Sequence, residues 1–150
     1  MLSIGLTVLN VRDMARAVNF WRQALGYELR EGGPEAHWSS LSPPGGPGTG
    51  LGLQLSERDP EPHPSVHLDL YASDVAEQAA EVDRLVGLGA ERVDWDLYPG
   101  DPDFVVLADT EGNRFCVVDI SHGSVSDDSV SHDSVSHDSV RHDSVRHDSG

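Results

Sequence analysis

Residues 6–13 read LTVLNVRD and residues 67–74 read HLDLYASD. Both stretches are eight residues long, largely apolar and closed by an aspartate, so they stand as counterparts within one chain, and such self-similarity marks a unit built twice. The run of apolar residues predicts a strand in each. In the second stretch the period of two sets Val66, Leu68 and Leu70 on the face expected to pack against helices, leaving His67, Asp69 and Tyr71 on the other.

The segment after each strand repeats as well. After Asp13, the residues Met14, Ala17, Val18, Trp21 and Leu25 recur at spacings of three and four and predict a helix that stops at Gly26. After Asp74, the residues Val75, Ala79, Val82 and Val86 predict a second helix that stops at Gly89, with Glu77 placed as a capping-box partner. Both helices close on Leu-Gly, and Trp21 on the first stripe is assigned to the core.

Beyond each helix come three short strand-like runs, at 27–30, 37–41 and 51–55, then at 91–95, 104–108 and 114–120. The chain therefore reads βαβββ twice, an α+β architecture. The stretch SPPGGPGTG (42–50) is a Pro/Gly-rich turn, and DTEGN (109–113) holds the matching hairpin, with Gly112 expected at positive φ. SERDPEPHPS (56–65) carries three prolines and reads as a linker between modules spanning about residues 2–56 and 65–120.

The chain of 150 residues is 37% apolar, which suits one domain. It contains ten arginines, no lysine and 26 acids, for a net charge of −16. Residues 1–120 hold 20 of the acids and eight of the arginines, a net of −12, so the acidity belongs to the folded part as well as to the tail. Scattered arginines without lysine argue against nucleic acid and anionic membrane as partners, and leave a small molecule or another protein. One cysteine, Cys116, makes no internal disulfide, and the N-terminus lacks a basic region followed by a long apolar run. A cytoplasmic location is the expectation.

From Val125 the sequence runs in fives: VSDDS, VSHDS, VSHDS, VRHDS, VRHDS. A single valine per repeat cannot offset the entropy of ordering the backbone, so residues 121–150 read as a disordered low-complexity tail. Its histidines, His122, His132, His137, His142 and His147, could chelate metal weakly, but Ser, His and Asp recurring in a tail do not make a triad, which needs a packed scaffold.

The segments VRDMARAVNFWRQALGYE, HLDLYASDVAEQAAEVDRLVGLGAERV and FVVLADTEGNRFCVVD together resemble the vicinal oxygen chelate superfamily, and within it the glyoxalase-like domains. The phrase DTEGNRFCVV, close to that family's Asp-Pro-Glu-Gly-Asn hairpin, is the most specific element. The resemblance covers most of residues 2–120 and implies paired βαβββ modules forming a curled mixed sheet around a cavity, and commonly a homodimer. In metal-dependent relatives it implies four ligands, one on the first and one on the last strand of each module. Here those positions fall on His67 and Cys116 in the second half, and on Leu6 and, as the nearest equivalent, Gln54 in the first. Leucine cannot ligate, and the remaining set is poor for a divalent ion.

His67 reads as a general base or ligand in the cavity, or as a hydrogen-bonded strand histidine, and Asp69 as the acid that orients it, or as a solvated carboxylate. Leu6, Gln54, Tyr71 and Cys116 are expected to line the cavity, and Trp38 and Trp95, with Tyr98, to rim it. For Cys116 a buried apolar filler is the competing reading, and for the aromatics core or dimer packing. The resulting expectation is a protein that binds a small organic molecule without a firmly held metal, with His67 and Asp69 as its acid-base pair. Two alternatives stand beside it: a metal-dependent lyase or dioxygenase, and a non-catalytic sequestering protein of the bleomycin-resistance kind.

Overall fold

A computed structural model describes residues 1–121. The pentapeptide repeats, with their expected disorder and their histidines, lie outside the described residues.

The repeat is realised as two modules of like topology. In the first, β1 (Leu6–Val11) leads into α1 (Met14–Leu25), followed by β2 (Glu28–Glu31), β3 (Trp38–Ser42) and β4 (Gly50–Leu55). In the second, β5 (Leu68–Ala72) leads into α2 (Val75–Leu88), followed by β6 (Glu91–Arg92), β7 (Phe104–Ala108) and β8 (Arg114–Asp119). Each module forms a four-stranded mixed sheet, ordered β1-β4-β3-β2 and β5-β8-β7-β6. In both, the first strand runs parallel to the last and the others are antiparallel. The run expected at 91–95 is a strand only at Glu91–Arg92, and the chain leaves the sheet before Trp95.

The helix starts and stops are chemically explicit. Asp13 and Asp74 are the N-caps, each accepting from the backbone N–H three residues on, at Arg16 and Glu77. Glu77 reaches back to the N–H of Ser73, which completes the expected box one residue early. Gly26 and Gly89 take the positive φ values, 66° and 119°, that end each helix.

Helix α1 buries the face expected of it, with Phe20 and Ala24 added and Leu25 only half-buried. Helix α2 does not. Its inward residues are Gln78, Val82 and Leu85, while Val75 and Val86 are exposed and Ala79 faces outward too. The face is turned because Gln78 can be buried at little cost: its amide donates to the carbonyls of Asp103 and Val117, both at 2.9 Å. Val66 is likewise exposed, since β5 begins only at Leu68, whereas Leu68 and Leu70 do lean on the core.

One core joins the modules. Phe20 and Trp21 of α1 meet Phe115 of β8, and Leu41 and Leu53 of the first sheet belong to the same cluster as Leu85 and Leu107 of the second module. At the periphery Arg84 of α2 donates to the carbonyls of Gln23 and Ala24, closing the C-terminal end of α1 with a cation.

The DTEGN hairpin is a second junction. Asp109 accepts from Trp21 Nε1 at 3.0 Å and from the backbone of Glu111 and Asn113. Glu111 accepts from the backbone N–H groups of Arg12 and Asp13 and from the Arg16 guanidinium, and Asn113 donates to the carbonyl of Asn10. Gly112, at φ 87°, allows the turn that aims these side chains at the start of α1.

Candidate functional site

With the helices packed on one face of each sheet, only alternate strand residues reach the other face. In the second module these are His67, which immediately precedes β5, with Asp69 and Tyr71; Phe104 and Val106 of β7; and Arg114, Cys116 and Val118 of β8. Strand register sets Asp69 directly beside Cys116, and Cys116 beside Val106.

A cleft of about 600 Å³ lies on this face. Its polar end holds His67, Asp69, Arg114 and Cys116, and Phe104, Val106 and Val118 continue it as an apolar floor. The segment between β6 and β7 supplies a wall through Trp95 and Leu97. That segment is tied down by Tyr98, whose hydroxyl accepts from the backbone N–H of Val106 at 2.7 Å and whose ring lies 5.3 Å from that of Phe104. The linker closes one side: the His63 ring lies 5.0 Å from that of Trp95, and its Nε2 is 2.8 Å from Asp96 Oδ1. The hydrogen bond from His63 holds the exposed Asp96 carboxyl below its ordinary range.

His67 and Asp69 pair across one strand repeat, with Nε2 3.1 Å from Oδ1 and both side chains a little under half exposed. Cys116 is buried beneath them. Burial, the Asp69 charge and a hydrogen bond to that carboxylate push its thiol up to about 11. It is therefore a neutral thiol near pH 7, in line with the buried-filler reading.

The first module presents a different surface. Register pairs Thr7 with Leu51 as it pairs Leu68 with Phe115, so the first-half position matching Cys116 is Gly52, not Gln54, which matches Val118. Leu6 corresponds to His67 and Val8 to Asp69. A side chain at Gly52 has no room, because a β-carbon there would lie 2.5 Å from the Trp38 ring. Trp38 thus covers the floor that the second module leaves open.

The expected site residues accordingly divide. His67, Asp69, Trp95 and Cys116 come together at the cleft. Leu6, Trp38 and Gln54 stay on the first sheet and do not line it, and Tyr71, 73% exposed on the edge strand β5, lies outside it too. Sequence reading passed over Phe104, Val106, Val118 and Arg114. The last two share a strand face with Cys116 by alternation, which is a signal the sequence already carries.

A family model described as "Glyoxalase-like domain" matches residues 6–118. No curated protein matches the chain. Among solved structures, a protein from Agrobacterium tumefaciens studied by solution NMR is 20% identical, covering 79% of this chain and 98% of its own, with a TM-score of 0.61. A glyoxalase/bleomycin resistance protein/dioxygenase family enzyme from Burkholderia phytofirmans is 15% identical, with coverage of 79% and 99% and a TM-score of 0.62. A genomically encoded fosfomycin resistance protein from Listeria monocytogenes is 15% identical, with coverage of 79% and 90% and a TM-score of 0.58. At such identities the likeness is one of fold. No helix among the described residues is long and apolar enough to cross a membrane.

The ion that metal-dependent relatives hold can be tested against the donors here. The nitrogen, oxygen and sulfur of His67, Asp69 and Cys116 lie within 4.8 Å of one another. The sulfur belongs to a thiol that burial and Asp69 push up to about 11, so an ion would have to displace its proton, and the first-module positions, Leu6 and Gly52, offer no donor. One imidazole, one carboxylate and a thiol that must first lose its proton, all from one module, make a poorer fit to a tightly held divalent ion than the four ligands of metal-dependent relatives.

Proposed function

Because the chain belongs to the glyoxalase-like domain family, we propose that it binds a small organic molecule in the second module's cleft, without a firmly held metal, and acts on it by proton transfer at His67. The observation that carries the reading is the His67–Asp69 pair at the polar end of an apolar cleft. The negative Asp69 carboxylate, 3.1 Å from Nε2, favours a proton on that nitrogen by its charge, leaving the Nδ1 lone pair to take a proton from a ligand. The apolar walls hold the body of the ligand, and desolvation there strengthens whatever polar contacts it makes.

The family also gives room to a sequestering protein, and the apolar floor would serve one equally. A homodimer is part of the proposal, since β1 and β5 each have a free edge and Leu6, Val8 and Tyr71 are exposed there.

The test is a substrate panel and then His67→Ala. Proton transfer predicts that kcat falls by about 10²-fold or more while affinity changes only severalfold. Activity that survives the substitution, or that disappears in step with affinity, rejects the base assignment. A panel that binds the native chain without any turnover favours sequestration.

A further inference from the structure

One side chain at the cleft narrows the class of ligand. Arg114 opens β8, and the alternation that sends Phe115 and Val117 into the core leaves Arg114 on the cleft side with Cys116 and Val118. The other arginines among the described residues are accounted for. Arg12, Arg16, Arg30, Arg84 and Arg92 each pair with an acid, and Arg22 and Arg58 are exposed to solvent.

Among the described residues Arg114 is the one arginine that is partly buried with no carboxylate in ion-pair reach. Its Nη1 donates to the carbonyl of Gly112 at 3.0 Å. Its Nε is buried without a hydrogen-bond partner, and Nη2 makes no hydrogen bond among the described residues. A guanidinium cannot shed its charge, so partial burial beside apolar side chains without a counter-ion costs free energy that an anion would return.

Resting on the reading of the cleft as a ligand site, we propose that its ligand is an organic anion whose carboxylate-like group pairs with Arg114 and whose apolar body runs over Val106, Phe104 and Val118. Nη2, unlike Nε, is not buried, so it is the unused donor that can take a carboxylate oxygen through a charge-assisted hydrogen bond. From Arg114 to Val118 the strand spans roughly 13 Å, room for an acidic group and one or two fused rings or an equivalent chain. The register that sets Leu68 against Phe115 brings His67 beside Arg114, so the atoms next to the acidic group fall at the imidazole. The chain as a whole, at −16, repels anions, which makes a preference for one attributable to the local cation.

The experiment uses the full chain and matched pairs of probes that differ only in charge: cinnamate with cinnamamide, and 2-naphthoate with 2-naphthamide. Binding is measured by saturation-transfer NMR and by titration of tryptophan fluorescence. In the native chain the acids are expected to bind about tenfold tighter than their amides or more. Arg114→Met should bring each pair to within about twofold by weakening the acid more than the amide, and Arg114→Lys should keep part of the preference. Equal binding of acid and amide to the native chain, a comparison that needs no variant, overturns the anion assignment and leaves the cleft as a binding site. A preference that persists in Arg114→Met does the same. Absence of binding by every probe overturns the cleft reading and this inference with it.

Discussion

Replacing Trp21 with alanine is expected to cost about 4 kcal/mol of folding stability, the middle of the range for an aromatic ring removed from a core. The ring is wholly buried and makes edge contacts with Phe20 at 5.1 Å and with Phe115 at 5.3 Å between centroids. Phe115 belongs to the second module, so the cavity would open at the junction of the two rather than within one. The indole N–H is lost as well. It donates to Asp109, whose carboxyl burial already holds above its ordinary range despite the donors around it.

Since one core serves both modules, urea unfolding of the variant should remain a single transition with its midpoint moved down, and the melting temperature should fall by about 10–20 °C. Trp21→Phe, which keeps a ring and loses the donor, should cost about half as much. A loss under about 1 kcal/mol in Trp21→Ala, or two separate transitions in the native chain, would show that the modules are not coupled through this residue.

Glu111→Ala is expected to cost about 3 kcal/mol, although the residue is a surface-type side chain in a hairpin. Its carboxylate is almost wholly buried and takes the N–H of Arg12 at 3.0 Å, the N–H of Asp13 at 2.8 Å and the Nε of Arg16 at 2.7 Å. Removing it strands two backbone donors and the negative charge that faces the start of α1. The Arg16 pairing adds little by itself because that guanidinium is about half exposed and stays hydrated.

The pH dependence has a definite sign. Burial pushes the Glu111 carboxyl up, but the hydrogen bonds from Arg16, Asp13, Thr110 and Arg12 outweigh it and leave its pKa below the ordinary 4.5. Its contribution is complete above the unfolded carboxyl's pKa and is lost as the pH falls through the lowered folded value. Glu111→Gln should therefore lose stability against the native chain at pH 7 and close the gap in acid. Urea midpoints for both chains at about pH 7 and about pH 3 measure this, and a gap that widens in acid would contradict it.

These junctions explain which parts of the molecule were legible in the sequence. The two strand–helix beginnings could be read because Asp13 and Asp74 cap helices locally and Gly26 and Gly89 end them locally. DTEGN could be read as a hairpin, but not as a clasp: the partners of Asp109 and Glu111, Trp21 and Arg16, lie 88 and 95 residues away in sequence. The inward face of α2 escaped periodicity because a glutamine occupies it, satisfied by carbonyls that only the folded chain supplies.

At the candidate site, alternation placed His67 and Asp69 on one face, and the family resemblance set Cys116 in the cavity with them. Register across β4 escaped it, and with it the assignment of Gly52 in place of Gln54. The way Trp38 fills the first module's floor also depends on a missing side chain at Gly52, which no spacing rule announces.

A metal-free cleft is tested most directly by the metal content of the full chain and of His67→Ala after incubation with manganese, iron, nickel or zinc and thorough washing. Comparing the two chains cancels any binding by the tail histidines. The donor set predicts equal content in both. About one ion per native chain that His67→Ala fails to retain would contradict a metal-free cleft and move the chemistry to an ion held at His67, Asp69 and Cys116.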